Sequence, residues 1–574
     1  MALGQAKDWE VSGRSFDSSR LLIGVAVAIV CFLVLVPLVM LFYSSISNAR
    51  PGELGVLTLD NFARAYGARQ TYTLLGNSMV YAIGTAIFSF TVGSVLAWLC
   101  ARTNMPLKGL LFTLSMVPLV IPGILNTIAW LFLLSPRIGL VNKVLMPLFG
   151  LTNPPFDVYS MWGMIWVEGL LLSPLVFLMM WAAFTTMDPA LEDSATMSGS
   201  GIVSTFRRIT LRLMLPAILS VLLIMFIRGL ESFEVPALVG LPNRIFVFTS
   251  AIYVAIHDMP VDYGLAGAYS ISLLAISAVG VYLYGRATSR QEQFSTITGK
   301  GYRPREIDLG PWKYAAAAFF MLYFLVVVGL PLLVLVWNSL IPYTAAPSLE
   351  MLSKVSLKNY GEVLNYGKIR QTFINSAIAA SATGTVVMVL TAIISWVVVK
   401  TKITGRRVLD NLAFLPIAFP GLTLGVGLMW VYLTLPIPIY GTLWILVIAY
   451  ITRFMPYGIR ICSATLVQIH RELEEASMAS GGSWLQTFTR VTLPLLRPAL
   501  VTGWIYVALI SLRELSSSIL LYSPGNEVLS IMIWDLWQGG ETQALASLGV
   551  MMVLSLSILV FFFQKLGGKA GGRF

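Results

Sequence analysis

The strongest constraint on the fold is a series of long apolar runs, each about as long as a membrane-spanning helix. The runs occupy positions 21–43, 74–101, 110–134, 161–184, 214–240, 263–285, 313–338, 373–399, 409–434, 441–466, 497–522 and 544–563. A helix needs about 20 apolar residues to cross the hydrocarbon core of a bilayer. Charged residues make up 11% of the chain, against about a quarter in globular domains. We therefore predict an all-α polytopic membrane protein with about twelve transmembrane helices.

Composition excludes several other classes of protein. The runs are too long and too continuous for the strands of a membrane β-barrel. The first run, 21–43, is longer than a signal-peptide core and lacks a small-residue cleavage pattern, so we expect a retained helix. The net charge of +11 fits basic residues at cytoplasmic helix ends, and no nucleic-acid partner is expected. Cys31, Cys100 and Cys462 are dispersed, which indicates neither a disulfide framework nor a cysteine metal site. The sequence leaves any metal site unknown.

The chain contains an internal repeat. The dipeptide Pro-Gly at 122–123 recurs at 420–421 (420 − 122 = 298). Further along, the offset falls to 282, and Gly199 pairs with Gly481 (481 − 199 = 282). Each half has an even number of predicted spans, and the linker between the halves is predicted to be cytoplasmic. We therefore predict two six-helix parallel repeats, related by an axis along the membrane normal.

The apolar runs and the basic residues together predict how the chain is divided. The predicted segments are a cytoplasmic N-terminal segment (1–20), a first repeat (21–285), a basic cytoplasmic linker (286–312), a second repeat (313–564) and a cytoplasmic tail (565–574). Short loops at 102–108 and 400–407 are rich in Lys and Arg, as cytoplasmic loops are. Both termini are therefore predicted to be cytoplasmic. The longer loops 44–72 and 339–371 fall on the outer side.

A polar segment at 472–498, ELEEASMASGGSWLQTFTRVTLPLLRP, interrupts the apolar runs of the second half. Its first part contains helix-forming residues behind an acidic start. Gly481 and Gly482 supply the backbone freedom that a turn needs. We predict a short helix, a glycine break, and a second helix that is stopped by Pro494.

The spacing of this segment resembles the cytoplasmic loop of ABC importer permeases, which forms a coupling helix in a groove of the ATPase subunit. The matching residues of the second half are Glu475, Ala476, Ser477 and Gly481, followed by Val491, Leu493 and Pro494. A degenerate copy in the first half has Asp193, Ser194, Ala195 and Gly199, with Arg212 where the second copy has proline. The resemblance implies that both loops dock an ATPase.

The same resemblance implies a fold, a location and partners. The expected fold is that of type I ABC importer permeases, in the bacterial cytoplasmic (inner) membrane. Two copies of an ATPase subunit are expected on the inside, and a periplasmic or lipid-anchored substrate-binding protein on the outside. The sequence has no G-x-x-x-x-G-K-[ST] phosphate-binding loop. We therefore expect no enzymatic activity and no cofactor on this chain, with ATP and Mg on the partner ATPase.

Charged residues inside the apolar runs are the next signal, because charge within a membrane is costly and is usually functional. The clusters are Arg228, Glu231 and Glu234 in the first half, and Arg513 and Glu514 in the second half. One interpretation is a polar lining of the substrate pathway. The other is a set of ion pairs, such as Arg228 with Glu231, that hold helices together. Glu168 is a further intramembrane carboxylate without an assigned role.

The stretch 511–541 resembles the fused permeases of bacterial ferric-iron importers through R-E-L-S, L-L-Y-S-P-G, E-V-L-S and I-W-D-L-W. This resemblance implies ferric iron as the solute. Importers of phosphonates, sugar phosphates, thiamine or polyamines share the architecture and remain alternatives. An ion-driven secondary transporter is disfavoured, because it needs no ATPase dock. A membrane enzyme would need a clustered nucleophile, histidine pair or metal set, which the sequence does not offer.

Overall fold

Helices dominate the computed structural model, which describes residues 18–53, 55–187, 190–294 and 306–570. Within these residues, nine helices are long and apolar enough to cross a membrane, or up to thirteen if each bent pair is one span. The prediction of an all-α polytopic membrane protein with about twelve spans is confirmed. The rest of the predicted N-terminal segment, the middle of the linker and the end of the tail lie outside the described residues.

The helices follow a shared order in both halves, with one extra helix in each: Leu140–Phe149 in the first half and Leu349–Ser353 in the second. Those of the first half are Ser18–Ser45, Asp60–Gly67, Arg69–Arg102, Lys108–Leu114, Gly123–Leu134, Leu140–Phe149, Met161–Thr186, Ala190–Met197, Ile202–Thr205, Leu211–Leu213, Leu215–Glu231, Phe248–His257 and Tyr263–Phe294. Those of the second half are Trp312–Phe324, Leu330–Leu340, Leu349–Ser353, Lys358–Asn365, Gly367–Lys400, Arg406–Phe414, Gly421–Thr434, Leu443–Gln468, Arg471–Ala479, Trp484–Thr487, Leu493–Leu512, Leu529–Gln538 and Thr542–Ala570. This shared order is what a two-repeat chain predicts.

The first membrane span of each half (Ile23–Ser45 and Trp312–Leu340) packs against the other half. Ser18–Ser45 contacts Gly421–Thr434. Gly427 permits this approach, because a Cβ there would lie 2.6 Å from a backbone carbonyl oxygen of the first helix. Leu330–Leu340 correspondingly contacts Gly123–Leu134. Small residues let helices approach closely within lipid, so the two halves are interlocked.

Two of the predicted spans are broken. Helices bend by 97° within 110–134 and by 109° within 409–434, in each case at the repeated Pro-Gly dipeptide (122–123 and 420–421). The two prolines have extended backbone conformations and lack the N–H that would continue a helix. Each dipeptide therefore starts a new helix inside the membrane-spanning region.

The structure corrects the prediction that Pro494 stops a helix. Helical structure continues from 484 to 512 through a π-helical turn at Phe488–Thr492. The π turn places Pro494 in the first turn of the following α-helix, where its missing N–H costs nothing. In the first half, by contrast, Phe206–Leu213 and Leu215–Glu231 are bent by 61°.

Candidate functional site

The two predicted docking loops have the same backbone turn. Gly199 and Gly481 have φ angles of +81° and +84°, in a backbone region that residues other than glycine rarely adopt. A short helix, Ala190–Met197 or Arg471–Ala479, precedes each glycine. The predicted glycine break is therefore present in both loops.

Most of the predicted docking residues face outward. Asp193, Ser194, Gly199, Glu475, Ala476 and Gly481 are exposed, while Ala195 and Ser477 are half-buried. Exposed apolar side chains lie among them, including Met197, Leu473 and Met478. A surface that mixes acidic and apolar side chains in this way is one that a partner protein can bury.

A buried glutamate fixes the second docking loop to the membrane-spanning helices. Glu474, one residue before Glu475, is 6% exposed. Its Oε1 accepts hydrogen bonds from Thr492 Oγ1 at 2.7 Å and from Trp396 Nε1 at 3.3 Å. Because Thr492 lies on the helix that follows the loop, the two ends of the loop are tied together.

The first docking loop has the corresponding glutamate in a different environment. Glu192 is 8% exposed and accepts a hydrogen bond from Thr210 Oγ1 at 2.5 Å. It also forms an ion pair with Arg102, whose residue exposure is only 1%. This anchor is therefore a buried charge pair.

The motif includes neither glutamate, because it begins at the neighbouring acids, Asp193 and Glu475. A signal was available. Thr210 follows Glu192 at the same distance as Thr492 follows Glu474, so the repeat pairs all four residues at one offset. Two polar residues that recur together beside a docking motif indicate a shared contact.

The end of the linker is attached to the loop that carries Arg102. The N–H of Ile307 donates to the carbonyl oxygen of Arg102 at 2.8 Å, and the N–H of Asn104 donates to the carbonyl oxygen of Ile307 at 3.1 Å. The Asn104 side chain donates to Asp308 Oδ1 at 2.5 Å. The chain between the halves therefore contacts the anchor of the first docking loop.

Within the membrane-spanning region, charged residues from both halves meet. Arg228 and Glu231 line a cavity of about 60 Å³ together with Arg453 and Tyr457 of the second half. Arg228 Nη1 lies 3.9 Å from Glu231 Oε2, and Arg228 donates a hydrogen bond to Tyr457. Glu231 Oε1 is buried and has no hydrogen-bond partner in the described part of the chain. This group lies at the interface between the repeats.

Glu514 has a partner that sequence analysis did not identify. Arg453 Nη1 lies 2.9 Å from Glu514 Oε1, and Ser517 donates to the same oxygen from its backbone N–H at 2.9 Å. Arg513 instead donates to the carbonyl oxygen of Leu119 in the first half. Arg453 is a charge within a predicted span, so the rule that identified the other clusters could have found it.

Glu234 differs from these paired acids. It is half-buried, and among the described residues it makes neither an ion pair nor a hydrogen bond. A Cβ at Gly123 would fall 2.2 Å from its Oε2. Gly123 starts the helix after the first Pro-Gly bend, where a helix N-terminus favours negative charge. The equivalent Gly421 lies against Arg453 instead.

Glu168 is buried and hydrogen-bonded. Its Oε2 accepts from Ser232 Oγ at 2.8 Å and from Tyr81 Oη at 3.2 Å, so it joins the helices Arg69–Arg102 and Met161–Thr186 to the end of Leu215–Glu231. Across the described ranges, no group of three or more His, Cys, Asp or Glu side chains could hold a metal ion.

Comparisons with known proteins agree with these features. The family described as binding-protein-dependent transport system inner membrane component matches residues 388–569. A ferric transport system permease protein of Actinobacillus pleuropneumoniae is 24% identical over 97% of this chain and 80% of its own length. An Fe(3+)-transport system permease protein of Haemophilus influenzae is 24% identical over 86% of this chain and 90% of its own length. A probable ABC transporter permease protein of Sinorhizobium fredii is 26% identical over 95% of both chains.

These similarities extend over the features that the structure identifies. The family match includes the second docking loop and the second-half charges, at 471–514. The relatives align with nearly the whole chain, so their similarity spans both halves. The protein is a multi-pass, fused two-repeat permease subunit of a bacterial ABC importer, and its sequence resembles the ferric transport permeases.

Proposed function

We propose that this permease carries ferric iron across the bacterial inner membrane. The names of two relatives and the motifs within 511–541 support this solute. The observation that carries the proposal is Glu234, an unpaired carboxylate in the interior of the membrane-spanning region. Carboxylate oxygens are hard donors that suit hard cations. Such a group is costly to bury without a partner, and a passing cation would supply one.

The paired acids fit this proposal as well. Arg228 forms an ion pair with Glu231, and Arg453 forms one with Glu514. These two carboxylates therefore attract a cation only weakly. Conduction requires a site strong enough for the solute to enter and weak enough for it to leave. One unpaired carboxylate, Glu234, together with two that are paired with arginine meets that requirement better than three unpaired carboxylates would.

The proposed importer has further subunits. Two copies of an ABC ATPase would bind the exposed loops around 193–199 and 475–481, and ATP and Mg²⁺ would be bound by those subunits. A substrate-binding protein would dock on the outer side, which the family description as binding-protein-dependent supports. Both termini of the permease would lie in the cytoplasm, with the docking loops on the same side.

Transport by the purified complex in liposomes tests the solute. Ferric iron on its binding protein is compared with a phosphonate, a sugar phosphate, thiamine and a polyamine, each with and without ATP. We expect ATP-dependent uptake of iron alone. Uptake of another solute without iron would overturn the iron assignment and leave the permease assignment intact.

Replacement of Glu234 tests the pathway. Glu234→Gln should lower iron uptake about tenfold, as expected for the loss of one charged contact worth about 1.4 kcal/mol. Gly123→Ala should also impair uptake, because the added Cβ must displace the carboxylate. Glu350→Gln, on an exposed outer helix, is the matched control and should transport normally. Normal iron uptake by Glu234→Gln would contradict the pathway assignment.

The paired acids test the alternative interpretation, in which the charges only hold helices together. Glu231→Gln and Glu514→Gln should express and still bind the ATPase, but they should unfold at lower temperature, because each removes the carboxylate that pairs with a half-buried arginine. Loss of uptake at unchanged thermal stability would instead make these two acids part of the pathway.

A further inference from the structure

An apolar groove lies on the surface of the second half, between the helices Gly367–Lys400 and 484–512. Its volume is about 630 Å³, and its walls include Met388, Val389, Ile393, Leu500, Val501 and Trp504. Thr385, a polar residue in the wall, accepts a hydrogen bond from Trp504 Nε1 at 3.0 Å. The exposed surface of the groove is therefore almost wholly hydrocarbon.

The location of the groove identifies what covers it. Both helices are apolar enough and long enough to span a membrane, so the exposed side chains of their membrane-spanning parts face lipid. From Leu493 to Trp504 the wall rises by eleven residue steps (504 − 493 = 11), or about 16 Å of helix at 1.5 Å per residue. This length is close to half of the hydrocarbon core, which is about 30 Å thick. One acyl chain of one leaflet matches the groove.

A positive charge lies on the same helix face. Arg497 falls four residues after Leu493 and three before Leu500, a spacing that places it on the face that lines the groove. It is exposed, and in the described part of the chain it has no ion pair or hydrogen bond. A phosphate group in the headgroup layer would give this guanidinium an oppositely charged partner.

The direction of the side chain fits a lipid headgroup. Helical side chains lean toward the helix N-terminus, so Arg497 leans toward the end of the helix that carries the docking loop. Arg490, two turns earlier, is also exposed and lies at that end. Both guanidinium groups can therefore reach the headgroup layer beside the second docking loop.

We propose that the groove binds one anionic phospholipid, with an acyl chain against Val501 and Trp504 and the phosphate on Arg497. Guanidinium pairs with phosphate through two parallel hydrogen bonds, and Arg490 adds positive charge at the same level. A lipid held there joins Gly367–Lys400 to the helix that follows the second docking loop, and so stabilises that helix against displacement.

The first half provides an internal control. At the repeat offset of 282, Arg497 corresponds to Leu215 (497 − 282 = 215) and Arg490 corresponds to Arg208 (490 − 282 = 208). The first half thus has a counterpart of Arg490 but no arginine at the position of Arg497. We therefore place the proposed lipid site in the second half.

Native mass spectrometry of the full chain in detergent tests the site, with phosphatidylglycerol and phosphatidylcholine of identical acyl chains as probes. We expect one phosphatidylglycerol to bind more tightly than phosphatidylcholine. Arg497→Gln should weaken that binding about tenfold, as for a lost charged hydrogen bond. Val501→Trp should weaken it by filling the groove, and Arg208→Gln should leave it unchanged.

Three results would overturn the proposal. Equal binding of the two lipids by the unmodified chain would mean an ordinary lipid-facing surface. Phosphatidylglycerol binding that survives Arg497→Gln would exclude the phosphate contact, and binding that survives Val501→Trp would place the lipid elsewhere. Lipid binding is measured without transport, so the result does not depend on which solute the importer carries.

Discussion

The two docking loops share one backbone turn but are anchored by different chemistry. In the first half, Glu192 is paired with the buried Arg102. In the second half, Glu474 accepts hydrogen bonds from neutral groups. The counterpart of Arg102 is Lys400 (400 − 102 = 298), whose Nζ donates to a backbone carbonyl at 2.6 Å instead. The first loop, whose motif is degenerate, thus has the charged anchor. How well a loop matches the motif therefore does not determine how it is held to the membrane-spanning helices.

The helices that leave the two loops also differ. In the first half, the helical segments Phe206–Leu213 and Leu215–Glu231 meet at a 61° bend. In the second half, one helix runs from Trp484 to Leu512. A joint can absorb a displacement of its end by changing its angle, while a continuous helix transmits it along its length. This contrast predicts that the second loop couples more directly to the membrane-spanning region.

Removal of the buried arginine should give the largest difference between the loops. Arg102→Met leaves Glu192 without its charge partner, and breaking a buried pair costs about 3–5 kcal/mol. Lys400→Met removes a hydrogen bond from a partly exposed residue, which costs about 1 kcal/mol. Unfolding of the detergent-solubilised chain measures both. Similar losses of stability would contradict the difference in anchoring.

The two threonines sharpen the comparison. Thr492→Val removes one of the two donors to Glu474 and should cost about 1–3 kcal/mol, since a buried carboxylate loses a partner. Thr210→Val should cost less, because Glu192 keeps Arg102. Thr489→Val, at an exposed position of the same helix, controls for the substitution itself. A larger loss for Thr210→Val in the same unfolding assay would reverse the assignment.

Substitution of the two turn glycines distinguishes an effect on folding from an effect on ATPase docking. Gly199 and Gly481 have nearly equal positive φ angles and open surroundings, so substitution by leucine should cost each loop the same, about 1–2 kcal/mol. The better motif of the second loop predicts that Gly481→Leu impairs transport more than Gly199→Leu. ATP-driven uptake at matched expression measures the difference. Equal defects would contradict the asymmetry without contradicting docking.

Sequence patterns predicted much of this architecture because they are local. Apolar runs identify membrane spans, and the spacing around Gly199 and Gly481 identifies the turns, since glycine alone adopts that φ at little cost. The repeated Pro-Gly dipeptides marked equivalent positions, but their sharp bends did not follow from the apolar pattern, which continues through them.

The remaining features depend on residues far apart in the chain. The pair formed by Arg453 and Glu514 joins the helix Leu443–Gln468 to the segment that follows Leu493–Leu512. The isolation of Glu234 is visible only once every neighbour is placed. Pro494 shows a different limit, because a π turn before it permits the helix to continue. Hydrophobic periodicity reports which face is buried, whereas these features depend on which side chains meet.

The smallest expected effect concerns the linker contact, which the structure forms with the loop that carries Arg102. The backbone N–H of Gly310 and the side chain of Asn104 donate hydrogen bonds to Asp308 and lower its pKa below the usual value. A carboxylate with a lowered folded pKa stabilises the structure above its unfolded pKa, about 3.9. That contribution is lost as pH falls through the lower folded value, so the linker contact should be unchanged from neutral pH to about 4 and weaken below.

Amide hydrogen exchange of Asn104 and Ile307, corrected for intrinsic rates, measures this contact as a function of pH. Protection should decrease only at the acidic end of the series. Asp308→Asn removes the titrating group, so the variant should lose the acidic step and keep the fold. The second-half loop 400–407 provides a comparison within the same sample, because the described linker contacts involve the first-half loop. If the acidic step persists in Asp308→Asn, the pH dependence comes from another carboxylate. If both loops show the same acidic step, the linker contact does not account for a difference between the two loops.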